Sequence, residues 1–166
     1  MARDGAQPIE ALADVLVPAF HKALGEQQET AGADDLDVVG VQEIGAKDFA
    51  VTRTVSTGSW IGRWYQGAGH GKATREAVLH LAFDGLGAER ADTAAWVTNH
   101  ASLGVSRSLG YRDNGTTTRA AEGKRVDQVN LTLSRTDWHR PPENCVISGL
   151  TSGAADMLGL APGVIE

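Results

Sequence analysis

Seven residues, Gln66-Gly67-Ala68-Gly69-His70-Gly71-Lys72, set glycine at alternate positions directly ahead of a helical pattern running from Ala73 to Leu86. Glycine keeps side chains out of the path of an approaching ligand. The helix behind it offers unpaired N–H groups and the positive end of its dipole. Together they form a phosphate or pyrophosphate cradle. Two familiar versions of that cradle fail on spacing. A nucleoside-triphosphate loop needs Gly-Lys followed by Ser or Thr, with a glycine five places before the second Gly. Here Ala73 follows Gly71-Lys72 and Gln66 holds the earlier place, so the magnesium-binding hydroxyl is missing. A dinucleotide fingerprint needs a third glycine three places after the second. Counted from Gly67 and Gly69, that place is Lys72.

The elements that must position this loop follow from apolar spacing. Val38 to Ile44 reads as a strand, Gly45 to Phe49 as a turn, and Val51 to Ile61 as a second strand weakened near Gly58. The helix presents Val78, Leu81, Ala82 and Leu86 on one face and ends at Gly85 and Gly87. Ala91 to Val97 reads as a buried strand and Asn99 to Ser108 as a short helix closed by Gly110. Gly123 marks a turn. From Val126 to Leu133 the pattern alternates, with Val129, Leu131 and Leu133 on one side, as in a half-buried antiparallel strand. Upstream, Ile9, Leu12, Leu16, Phe20 and Leu24 recur at helical spacing, interrupted by Pro18. Residues 25–37 read as an acidic linker, and Pro141-Pro142 divides the body from a small-residue tail.

A chain of 166 residues with 42% apolar content supports one domain with one core. A net charge of -6 and the lack of a basic run argue against a nucleic-acid binder. Cys145 is the only cysteine, which excludes an internal disulfide and a multi-cysteine zinc site. His21, His80, His100 and His139 share no metal-binding spacing, so no metal is expected. Trp60, Trp64, Trp96 and Trp138 are expected to act as core or interface anchors. With no leader and no long apolar run, a soluble cytoplasmic protein without a membrane span is expected.

Gln66-x-x-Gly69-x-Gly71 resembles the Arg/Gln-x-x-Gly-x-Gly/Ala signature of the GNAT superfamily of acyl-CoA-dependent N-acyltransferases. Gly58-Ser59-Trp60-Ile61-Gly62 precedes it at the expected distance. Asn99-x-x-Ser102 and Leu109-Gly110-Tyr111 follow, resembling the superfamily's second acyl-CoA motif. Residues 38–138 resemble the branch of the ribosomal-protein N-terminal acetyltransferases. The resemblance implies an α/β (α+β) fold with a mixed, mainly antiparallel sheet and helices on both faces. It divides the chain into an N-terminal helix and linker (1–37), an acyl-CoA-binding core (38–138) and a tail (139–166). The usual first strand and helix pair are not found in the first 37 residues. Such a shortened front would leave sheet surface for the Ile9–Leu24 helix or for a second copy, and a homodimer is expected.

The activity implied is transfer of an acetyl or succinyl group from acyl-CoA to a primary amine of a protein or small molecule. The alternative is a catalytically weak acyl-CoA-binding module. By the resemblance, Gln66, Gly67, Ala68, Gly69, His70, Gly71 and Lys72 hold the pyrophosphate, while Ser59, Trp60 and Ile61 lie along the pantetheine. Asn99 binds the cofactor or caps its helix, and Ser102 and Ser106 lie beside it. A tyrosine is common seven places after the Asn; Ser106 stands there, so Ser102 becomes the candidate acid. Arg63 stands where the branch has a glutamate base and cannot accept a proton. Glu43 is the substitute base, with His70 second.

Overall fold

The computed structural model describes residues 39–140 and 147. The elements run β1 (Gly40–Ala46), α1 (Phe49–Thr52), β2 (Thr54–Ile61), α2 (His70–His80), β3 (Arg90–Trp96), α3 (His100–Ser108), β4 (Arg112–Ala121) and β5 (Lys124–Ser134). The five strands form one sheet in the order β1-β2-β3-β5-β4. Every neighbouring pair is antiparallel except β2 and β3, which are parallel. The expected mixed, mainly antiparallel sheet is the one observed.

Pairing is uneven along β2. Its antiparallel partner β1 stays in register from Ala46↔Val55 to Gly40↔Ile61. Its parallel partner β3 is paired only at Thr54↔Arg90, Val55↔Ala91 and Ser56↔Asp92. Beyond Ser56 the two strands diverge, while β3 keeps pairing with β5 up to Trp96↔Gln128. A wedge-shaped gap therefore opens in the middle of the sheet. Gly58 does not interrupt β2; it pairs with Glu43.

Register partners share a sheet face. Val55, Ala91, Ala95, Leu131 and Leu133 thus project together and pack against Leu79, Ala82, Phe83 and Leu86, with Leu103, Leu109 and Tyr111 completing the core. Val78, Leu81, Ala82 and Leu86, the expected apolar face, are all buried. Trp138 packs on Phe83 at 5.1 Å and edge-on to His80 at 4.9 Å. It is an anchor as expected, whereas Trp60 and Trp64 are 58% and 89% exposed and are not core residues.

Several boundaries differ from the sequence reading. The helix begins at His70 rather than Ala73 and ends in a π-helical turn, Leu81–Gly85. Gly71 and Lys72 are consequently helical. The segment expected to begin a strand at Val51 is instead the helical turn α1, bracketed by Asp48 and Arg53 at positive φ. Burial explains it: Phe49 enters the core while Val51 is left 86% exposed. Strand β4 was not expected. Its sequence, RDNGTTTRAA, lacks an apolar alternation because it is an edge strand with mostly exposed side chains. The turn-like Asn114-Gly115 falls in a register shift between Asp113 and Thr116. The Ile9–Leu24 helix, the acidic linker, Pro141-Pro142 and nearly all of the tail lie outside the described residues, although Ile147 packs against the core.

Phe83 is fully buried between helix and sheet. Phe83→Ala is expected to destabilise the fold by about 3–5 kcal/mol, read from urea denaturation, because both transfer and cavity terms are lost.

Candidate functional site

Because β2 and β3 are parallel, the helices that follow them start at the same end of the sheet. The Gly62–Gly69 connection and the start of α2 lie past the end of β2. Asn99 and the start of α3 lie past the end of β3. The gap between the strands opens toward both helix N-termini. Topology alone thus gathers Ser59–Ile61, the glycine loop, Asn99 and Ser102 at one place.

The loop is built from backbone rather than side chains. Gly67 and Gly69 adopt φ of 82° and 88°, a left-handed conformation that side-chain-bearing residues rarely adopt. A Cβ at either position would meet nothing within 4 Å, so the loop faces open space. Gln66 Nε2 donates to the Ile61 carbonyl at 2.9 Å, tying the loop to the end of β2. Gln66 is therefore a brace for the loop's backbone. The N-cap of α2 is Gly69, which has no side chain to satisfy the first N–H groups. The Lys72 N–H closes the first turn onto the Gly69 carbonyl at 3.0 Å. The Lys72 side chain reaches Glu76 at 3.7 Å.

Asn99 caps α3: its Oδ1 accepts from the Ser102 N–H at 3.1 Å. This places the half-buried Ser102 in the first turn, at the mouth of the gap. Ser106 lies one turn deeper and is buried in the core-facing side of α3. Glu43 is on the sheet face opposite α2. A Cβ added at its register partner Gly58 would come within 3.2 Å of Glu43 Oε2, so the carboxylate lies over β2 just past the split. Trp60 shares that open face and Ile61 faces the helix side. Arg63 sits exposed in a short 3-10 turn, Arg63–Tyr65.

Residues that the sequence reading missed lie under the gap. Arg75 is only 3% exposed. Its Nη2 donates to Ser59 Oγ on β2 at 2.8 Å and its Nη1 to Thr93 Oγ1 on β3 at 3.4 Å. Thr93 Oγ1 in turn donates to the Thr57 carbonyl at 2.9 Å, and Thr57 Oγ1 lies 3.4 Å from Tyr111 Oη. Arg75 Nε and Gln42 Oε1 are buried without hydrogen-bond partners. Burial lowers the Arg75 pKa, opposed by Tyr111. Burial raises the Tyr111 pKa, opposed by Thr57 and Arg75. A sequence signal existed: Arg75 precedes Val78 by three places and so falls within the helix's apolar stripe. Among the described residues no helix is long and apolar enough to cross a membrane, and no cluster suits a metal ion.

No protein-family model matches the chain. Its structure is similar to those of several acetyltransferases. A probable acetyltransferase is 24% identical, with a TM-score of 0.59 over 63% of this chain and 59% of that one. Mycobacterium smegmatis RimJ in complex with CoA-disulfide is 21% identical, with a TM-score of 0.59 over 66% and 52%. An acetyltransferase of the GNAT family from Bacillus anthracis is 17% identical, with a TM-score of 0.53 over 58% of each chain. At these identities the likeness is one of fold: the chain carries the GNAT acetyltransferase fold, and it spans between 52% and 59% of these three proteins.

The buried phenol gives a pH test. A raised folded-state pKa means that the unfolded chain loses the Tyr111 proton first as pH rises. The stabilisation is complete below the ordinary value of 10.0 and is lost as pH climbs through the higher folded value. Denaturation above pH 10 should show stability falling more steeply in the wild type than in Tyr111→Phe.

Proposed function

We propose that the chain is an acyl-CoA-dependent N-acyltransferase acting on a primary amine. The gap between parallel β2 and β3, with an uncapped helix N-terminus and a glycine loop at its mouth, carries this reading. Three features suit acyl-CoA. The edge of β2 from Thr57 to Ile61 has left β3 and is open to an extended chain such as pantetheine. The α2 N-terminus and the backbone of Gly67–Gly71 suit a pyrophosphate. Gln66 fixes the distance between the two.

When bound, acyl-CoA supplies the acyl group as an activated thioester. This chain's residues then have three tasks. A backbone N–H on the Thr57–Ile61 edge donates to the acyl oxygen as negative charge grows there. Glu43, on the open face over β2, takes the proton of the attacking amine. The Ser102 hydroxyl, on the first turn of α3, returns a proton to the departing thiolate. Asn99 holds that turn in place. Residence in the cytoplasm and assembly as a homodimer belong to the same reading, with exposed Val41 and Trp60 as apolar surface for a second copy. The acceptor class spans protein N-termini, lysines and small amines.

One observation favours a second reading, a CoA-binding module with little turnover. Arg63, exposed beside the loop, stands where the resemblance expects a glutamate. Binding and turnover separate the two.

CoA at about a hundredfold above its Kd should stabilise the protein by about 2.7 kcal/mol, seen as a rise in Tm. Gly69→Val, strained at a positive φ, should abolish most of that rise. Ser102→Ala should lower thiol release about a hundredfold across an amine panel while leaving the CoA-induced shift intact. Absence of any shift with CoA or acetyl-CoA would contradict the proposal. A shift without thiol release would favour the binding module.

A further inference from the structure

We propose that Arg75 recognises a carboxylate at the far end of the acyl chain, so that the preferred donor is the CoA thioester of a dicarboxylic acid. This rests on the acyl-CoA reading above and specifies its donor. A buried guanidinium separated from any anion is costly to keep. Exposed arginines of this chain nevertheless have carboxylate partners: Arg90 with Asp92 at 2.7 Å, Arg107 with Asp113 at 2.9 Å and Arg112 with Asp137 at 3.1 Å. Arg75, far more buried than these, has hydroxyl partners among the described residues, those of Ser59, Thr93 and Tyr111. Among the described residues these three exposed arginines have a carboxylate counter-charge, and the buried Arg75 has none.

Position argues for a ligand as the missing anion. Ser59 and Thr93 stand on the two strands just beyond their last paired residues. The guanidinium that binds both lies across the helix side of the gap, next to the β2 edge that would hold the thioester. Two acidic residues on the neighbouring strands β3 and β1 face away from it. Asp92 lies on the other face of β3, bound by Arg90 and by the Thr132 hydroxyl at 2.7 Å. Glu43 also lies on the open face, so neither neutralises Arg75.

The donors suit a carboxylate. Nε is buried with no hydrogen-bond partner, and its neighbour Nη2 donates to the Ser59 hydroxyl. Nε and one Nη present the side-on fork that a carboxylate accepts bidentately. Ser59 then turns its O–H toward the same anion, since a hydroxyl both donates and accepts.

Calorimetric titration of the intact chain with CoA, butyryl-CoA and succinyl-CoA tests this, because the two acyl chains match in length and differ in the terminal carboxylate. The wild type should bind succinyl-CoA at least about tenfold more tightly than butyryl-CoA. Arg75→Gln should bring the ratio close to one. Arg75→Lys, which keeps the charge and loses the fork, should retain a reduced preference. If Arg75→Gln does not fold, the wild-type and Arg75→Lys ratios decide. Equal affinities in the wild type, or an undiminished ratio in Arg75→Gln, would overturn the proposal while CoA binding upholds the reading beneath it. Failure of all three ligands, CoA included, would overturn both.

Discussion

The divergence of β2 from β3 is the constraint on which the rest of this structure depends. One neighbour holds β2 along its whole length, and the other releases it after Ser56. A strand edge released in the middle of a sheet carries unpaired N–H and C=O groups, which demand partners. This chain satisfies some of them itself. Thr93 donates to the Thr57 carbonyl and Gln66 to that of Ile61. The Thr93 bond and the Arg75 guanidinium, which reaches Ser59 and Thr93, span the two strands where their backbone pairing has ended. The parallel pairing next to the split then sends two helix N-termini to the same mouth. The opening, the glycine loop and the first turn of α3 share one place through one topological choice.

Electrostatics divides the gap into unlike sides. At the mouth, helix ends and backbone N–H groups favour negative charge. On the helix side lies a buried cation among hydroxyls; on the open face lies a carboxylate, Glu43. The net charge of -6 does not predict this arrangement, because charges act mainly on near neighbours and distant ones are screened.

Much of the scaffold was legible because burial imposes periodicity. The α2 stripe of Val78, Ala82 and Leu86 and the β5 pair Leu131 and Leu133 occupy the core that their spacing implies. The glycine loop was legible because positive φ at Gly67 and Gly69 restricts residue type. β4 was not legible, since an exposed edge strand has no apolar rhythm to read. The turn at Phe49 was missed because one buried side chain, rather than a pattern, decides it. Asn99 was legible as a helix cap. Arg75 was not, because its importance lies in two strands that come together only in three dimensions. The N-terminal helix and linker fall on residues outside the described part.

The account stands or falls on whether acyl-CoA occupies the gap. Backbone amide chemical shifts followed during CoA titration test that residue by residue. The account predicts the largest changes at Gly67–Gly71 and along Thr57–Ile61, with β4 unmoved. Saturable binding that shifts other amides and leaves both of these segments unchanged would contradict it.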